Sequence, residues 1–118
     1  MISEPVSIHN SEHYLWGGTS EGWHLLKRDD LSVIEERVPP GGAEVRHYHR
    51  HSRQFFFILE GQGTMAIGDR VLVLDQHQGL EVPPLVPHQF RNESGSDVVM
   101  IVISAPKSHG DRVNIEPE

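Results

Sequence analysis

The sequence predicts an all-β fold, a closed barrel or a sandwich, made by a single domain. Three observations lead there. Helical periodicity is nearly absent along the chain. The apolar runs are short and bounded by Gly, Pro or Asp, which is how strands are punctuated. A chain of 118 residues is long enough for one core and too short for two. About nine short strands in that length must close on themselves or pack as two sheets.

In chain order the expected strands are Trp23–Lys27, Leu31–Val38, Glu44–His49, Gln54–Glu60, Gly63–Ile67, Arg70–Leu74, Gly79–Val82, His88–Asn92 and Val98–Ser104. Asp29 and Asp30 part the first two, and Pro39-Pro40-Gly41-Gly42 parts the second from the third. Gly61-Gln62-Gly63 is a turn and not a phosphate loop, because no helix follows it. Gly68-Asp69 fits a two-residue hairpin turn. Pro83, Pro84 and Pro87 cannot donate to a ladder, so their segment is expected at a rim or edge. The barrel core is assigned to about residues 31–104 of one domain spanning 1–118. Residues 1–22 are read as an N-terminal arm, and the polar stretch 107–118 as a tail that is loosely held or pairs with a partner. Trp16 and Trp23 flank a glycine-rich stretch, and both rings are expected to pack on the barrel end.

Bulk properties exclude several functions. A formal charge of −7 argues against general nucleic-acid binding, which needs basic surface to neutralise phosphates. With no cysteine, neither disulfides nor thiolate chemistry is available. No apolar run approaches the roughly 20 residues that span a bilayer. The N-terminus has neither the basic nor the apolar region of a signal peptide. A cytoplasmic protein is expected.

Nine histidines is a large number for this length, and composition alone does not explain it; three of them, with one glutamine, carry most of the information. His47 and His49 form a His-x-His pair, which on an extended strand puts both imidazoles on one face. Gln54 and His88 each open a further apolar run. Three imidazoles and one carbonyl-type oxygen converging from separate strands suit a divalent transition metal. His9, His13, His77 and His109 are expected to be ordinary surface residues. His51 extends the pattern but falls in the loop between ligand-bearing strands, and is not expected to ligate.

Alternation assigns the remaining side chains. Phe56 and Ile58 share the face of Gln54, and Phe90 and Asn92 share that of His88. Phe56, Phe90 and Tyr48 are the expected substrate-pocket residues, Tyr48 by packing and not by chemistry. Apolar walls around a polar cluster are the usual composition of a small-molecule site. Phe55, Phe57 and part of Val98–Ile103 are apolar on the outer face, so a second subunit is expected to cover them. Arg46, Arg53 and Arg91 turn away from the cavity, toward outer-face pairing with carboxylates; Arg50 lies in the loop with His51. One charge among Glu35, Glu36 and Arg37 enters the barrel, with the choice left open. Glu44 is the candidate acid/base group, and no other inward acid/base residue is evident.

These residues carry a resemblance. The stretch Gly41, His47, His49, Gln54, Gly61, spaced by five, one, four and six residues, resembles the first cupin motif. Pro83, Leu85, His88 and Asn92 resemble the second, more loosely. The resemblance implies a small double-stranded β-helix, or jelly-roll, barrel that is often dimeric and holds a metal through the two motifs. Two positions depart from the family pattern. Leu85 replaces a glycine, which predicts a different backbone geometry before His88. Gln54 replaces a glutamate and leaves the full metal charge uncompensated, which strengthens Lewis acidity. A neutral amide also favours Ni, Zn, Fe, Co or Cu over Mn. The His-His-Gln-His set resembles that of small cupins acting on unsaturated uronates. The expected function is therefore Lewis-acid-assisted isomerisation of a small oxygenated metabolite, a sugar acid or related carbonyl compound. The alternatives are an iron-dependent dioxygenase and a non-catalytic binding or sensing module, because fold alone does not choose.

Overall fold

The computed structural model describes residues 4–115. The outer ends of the expected arm and tail, 1–3 and 116–118, lie outside them. Among the described residues eleven strands form, and no helix is long and apolar enough to cross a membrane. In chain order they are β1 (Glu12–Trp16), β2 (Ser20–Lys27), β3 (Ser32–Val38), β4 (His47–His49), β5 (Arg53–Glu60), β6 (Gly63–Ile67), β7 (Arg70–Leu74), β8 (Gly79–Val82), β9 (His88–Arg91), β10 (Val98–Ala105) and β11 (Arg112–Asn114). Two antiparallel sheets result, one ordered β1-β2-β3-β10-β5-β8 and the other β11-β4-β9-β6-β7.

The core lies between them. Val38, Phe56, Ile58, Val98, Met100 and Val102 from the first sheet meet Met65, Leu74 and Phe90 from the second. Period-two alternation produces this arrangement: along β10, Val98, Met100, Val102 and Ser104 are buried while Val99, Ile101 and Ile103 are half-buried. The β6–β7 connection is the two-residue Gly68-Asp69 turn, with Ile67 opposite Arg70 and Gly68 at φ 57°.

Both chain ends differ from expectation. Glu12–Trp16 is a strand, paired with β2 across a turn in which Gly17 and Gly18 take positive φ. The tail also contributes a strand, β11, whose partner is β4 of the same chain. The expected strand Glu44–His49 is regular only from His47. Before that point its backbone bonds are split between two neighbours: Glu44 N–H donates to Phe90 O at 2.9 Å, and Arg46 O accepts from Ile115 N–H at 2.8 Å. Trp16 turns inward against the core, whereas Trp23 stacks near His13, 5.2 Å away.

Leu85 also departs from expectation. The turn before His88 keeps a glycine-like conformation, with Leu85 forced to φ 69° and its N–H donating to His49 O at 2.7 Å. A non-glycine residue there costs about 1–2 kcal/mol, against about 0.5–1 kcal/mol for the greater unfolded freedom of glycine. The Leu85 side chain is 63% exposed and gives little packing in return. Leu85→Gly is therefore expected to stabilise the protein by about 0.5 kcal/mol, read as a higher urea midpoint with an unchanged slope.

Candidate metal centre

Short β4 carries His47 and His49 on its inner face, 2% and 4% exposed, and β9 sets His88 directly opposite His47. Gln54 reaches the same point from the facing sheet. The ligand-type atoms of the three histidines lie within 4.8 Å of one another.

Hydrogen bonding fixes which nitrogens point inward. The Nδ1 atoms of His47 and His88 lie 2.7 and 3.0 Å from the carbonyl oxygens of Val45 and Val86, so each donates its Nδ1–H outward. Both Nε2 lone pairs then face the centre. The Gln54 amide nitrogen donates to Ser104 Oγ at 3.1 Å, which turns Oε1 toward His88 Nε2 at 3.2 Å. Two acceptors thus face each other, and neither ring nitrogen of His49, one a donor and one an acceptor in the neutral ring, has a hydrogen-bond partner among the described residues. Facing lone pairs left this way are unfavourable unless a cation joins them. Burial pushes His47 down to about 3 and His88 down to about 4, and lowers His49, so all three are neutral at pH 7 as ligands must be. The residues therefore fit a divalent metal.

Beside this cluster lies a cavity of about 170 Å3, with Trp16, Ile34, Phe56 and Val102 as apolar walls. Its polar lining is Tyr14, Glu36, Glu44, Ser108, His109 and Arg112, together with His47 and Gln54. Glu44 accepts the Phe90 N–H through Oε1 at 3.0 Å and brings Oε2 to 4.0 Å from His47 Nε2. Burial raises its pKa to about 7. Glu36 is the strand charge that enters. Burial, then the charge of Glu44, raises it to about 8, and Tyr14 O–H donates to it at 3.3 Å.

The rise at Glu36 has a thermodynamic consequence. An unfolded glutamate titrates near 4.5 and the folded one near 8, so the folded state holds the proton more tightly in between. Stability from this group is present below about pH 4.5 and is lost as pH rises toward about 8. Glu36→Gln is expected to remove that decline. Urea midpoints of the two proteins, compared at steps across the window, should diverge in favour of the variant as pH rises.

The remaining expected residues fall in several places. Phe56 lines the cavity; Phe90, expected there, does not, and packs fully buried behind it with its ring centroid 6.3 Å from that of Phe56. Tyr48 sits between the two inward histidines, half-buried on the opposite face of β4, and does not line the cavity. His51 is exposed. Arg53 pairs with Glu81, Arg91 with Glu93, and Arg46 donates to Gly68 O at 2.7 Å.

Tyr14, Ser108, His109 and Arg112 were not anticipated, and His109 was expected to be bland. They arrive through the two unforeseen end strands and the loop before β11. Asp111 anchors that loop: its carboxylate accepts the N–H groups of Arg50, His51 and Ser52 at 3.2, 2.9 and 2.7 Å. Arg112 is braced by Asn114 Oδ1 at 2.7 Å and Val45 O at 3.2 Å. The available sequence signals were the alternation in His13-Tyr14-Leu15-Trp16 before a Gly-Gly turn, and the turn residues Gly110-Asp111 before Arg112-Val113.

Two antiparallel sheets that bring three histidines and a glutamine to one interior point define a β-barrel with a candidate metal centre. The chain belongs to the cupin family: the cupin domain model matches residues 34–104, more than half of its length. An uncharacterized protein of Methanocaldococcus jannaschii, MJ1618, is 29% identical over 94 residues, covering 79% of this chain and 75% of that one. H2HPP isomerase of Bacillus subtilis is 30% identical over 82 residues, 69% of this chain but 34% of the isomerase. The structure superposes on the polyketide cyclase RemF from Streptomyces resistomycificus with a TM-score of 0.84 at 17% identity, covering 99% of this chain and 88% of that one. The family thus includes distant enzyme relatives.

Proposed function

We propose that this cupin is a metalloenzyme that moves a proton on a small oxygenated metabolite, a sugar acid or related carbonyl compound, and so isomerises it. The observation carrying the reading is that Glu44, Glu36 and Tyr14 share one cavity with His47 and Gln54. A divalent metal held by His47, His49, Gln54 and His88 would supply Lewis acidity toward adjacent substrate oxygens. Nickel, zinc, iron, cobalt and copper suit that set better than manganese.

The chain's own residues do the rest. Glu44, raised to about 7 by burial, exchanges a proton readily near neutral pH. Glu36 and Tyr14 form a hydrogen-bonded pair on the same wall. Trp16, Ile34, Phe56 and Val102 exclude water from the reacting face. Arg112, exposed and braced on β11, is placed to meet an anionic group of the substrate.

The test is anaerobic incubation of metal-analysed protein with uronates and 2-oxo acids in D2O. Deuterium appearing by NMR on carbon next to the carbonyl is the expected result. Oxygen uptake with iron and diketones or phenols would favour a dioxygenase. Tight binding without exchange would favour a binding module. A homodimer belongs to the same reading, because Phe55 remains 41% exposed on the outer face beside half-buried Phe57 and Ile103. Light scattering should return twice the 13.3 kDa chain mass.

A further inference from the structure

A second concavity of about 250 Å3 adjoins the metal cavity, and His109 lines both. Its other lining residues are His24, Lys27, Arg28, Asp29, Ser32 and Lys107. The chain as a whole carries −7, yet this pocket gathers three cationic side chains, with Asp29 in its lining and Glu12 beside it. Lys27 bonds Glu12 at 3.1 Å and Lys107 bonds Asp29 at 2.9 Å. Arg28 makes no side-chain ion pair among the described residues.

The pocket wall holds two buried polar groups with no hydrogen-bond partner among the described residues. His24 is 9% exposed and its Nδ1 lacks a partner; Ser32 is 4% exposed and its Oγ lacks one. They sit on neighbouring strands β2 and β3, and the His24 ring centroid lies 5.3 Å from that of His109. Leaving each group unmet costs about 1–3 kcal/mol, so folds that retain such groups satisfy them with ordered water or a bound ion. An apolar ligand cannot do so. A cation would be repelled by Arg28, whose charge no carboxylate among the described residues offsets, while Lys27 and Lys107 are each paired with one. A group with several acceptor oxygens meets both requirements, since it accepts from imidazole N–H and hydroxyl and offsets the surrounding charge.

We propose that this pocket binds an oxyanion, a phosphate or carboxylate group, with His24 and Ser32 as its buried donors and Arg28 and Lys107 as rim cations. The site stands independently of the catalytic reading, because it uses none of the metal-ligand set. Two sources share the chemistry. The anion is either free in solution or is the anionic end of a molecule whose other end reaches the metal cavity past His109.

The test is a titration of the full chain with inorganic phosphate, ionic strength held constant with chloride, following the ring resonances of His24 and His109. Saturable shifts of both rings are expected. Arg28→Gln and Lys107→Gln change exposed residues and should leave the fold intact; each is expected to weaken phosphate binding by about tenfold, the worth of one charge-assisted hydrogen bond. Ser32→Ala should weaken it as well. Phosphoglycolate, titrated into metal-loaded and metal-free protein, separates the sources. Tighter binding only with metal identifies an anionic end of a bridging molecule. Affinity equal to that of phosphate identifies a free anion. Absence of shifts, equal shifts with chloride alone, or unchanged affinity in the Arg28→Gln/Lys107→Gln double variant would overturn the site and leave a water-filled pocket.

Discussion

Glu44→Gln is expected to leave fold and metal content unchanged while lowering turnover by about 10²–10⁴-fold, the usual worth of one positioned acid or base. The amide is nearly isosteric with the carboxyl, and its oxygen can still accept the Phe90 N–H that Glu44 Oε1 accepts at 3.0 Å. The variant loses the titratable carboxyl and its negative charge, and keeps the shape. The deuterium-exchange rate, elemental analysis and thermal unfolding, measured on one preparation, separate these effects. If the rate stays within twofold of wild type while metal is retained, Glu44 is not the proton carrier, and Glu36 or Tyr14 becomes the next candidate.

The second large effect changes sign with metal. His49 is 4% exposed with both ring nitrogens unpartnered. Leucine fills a similar volume and removes both orphans. Without metal, His49→Leu is therefore expected to stabilise the fold by about 1 kcal/mol, the lower end of the cost of buried unmet polar groups. With metal at a hundred times its dissociation constant, the wild type gains about 2.7 kcal/mol by mass action, and the variant gains little. The order of stability should thus reverse between chelator-treated and metal-saturated samples in denaturant titrations. An equal metal-induced gain in both proteins would remove His49 from the ligand set.

The all-β fold and the clustering of His47, His49, Gln54 and His88 are legible in the sequence, and the strands at both ends of the chain are not. The difference is physical. On a strand, the direction of a side chain follows from its parity with its neighbours, so His47, His49, Phe56 and Phe90 could be assigned inward from local pattern alone. Leu85 marks a limit of such reasoning. A residue unsuited to positive φ suggested a new turn, whereas the fold kept the turn and imposed φ 69° on the leucine. The position is held by the bond from its N–H to His49 O at 2.7 Å.

The sequence by itself determined the strand content, the inward parity and the identity of the four candidate ligands, because these follow from period-two geometry within a few residues. Tertiary structure alone decided what surrounds them. Glu36 faces the cavity beside Tyr14 because β1 and β2 fold onto β3. Ser108, His109 and Arg112 arrive because Asp111 binds the amides of Arg50, His51 and Ser52, and β11 pairs with β4, some sixty positions away in sequence. Such contacts join segments remote along the chain, and no local periodicity encodes which remote strands will pair.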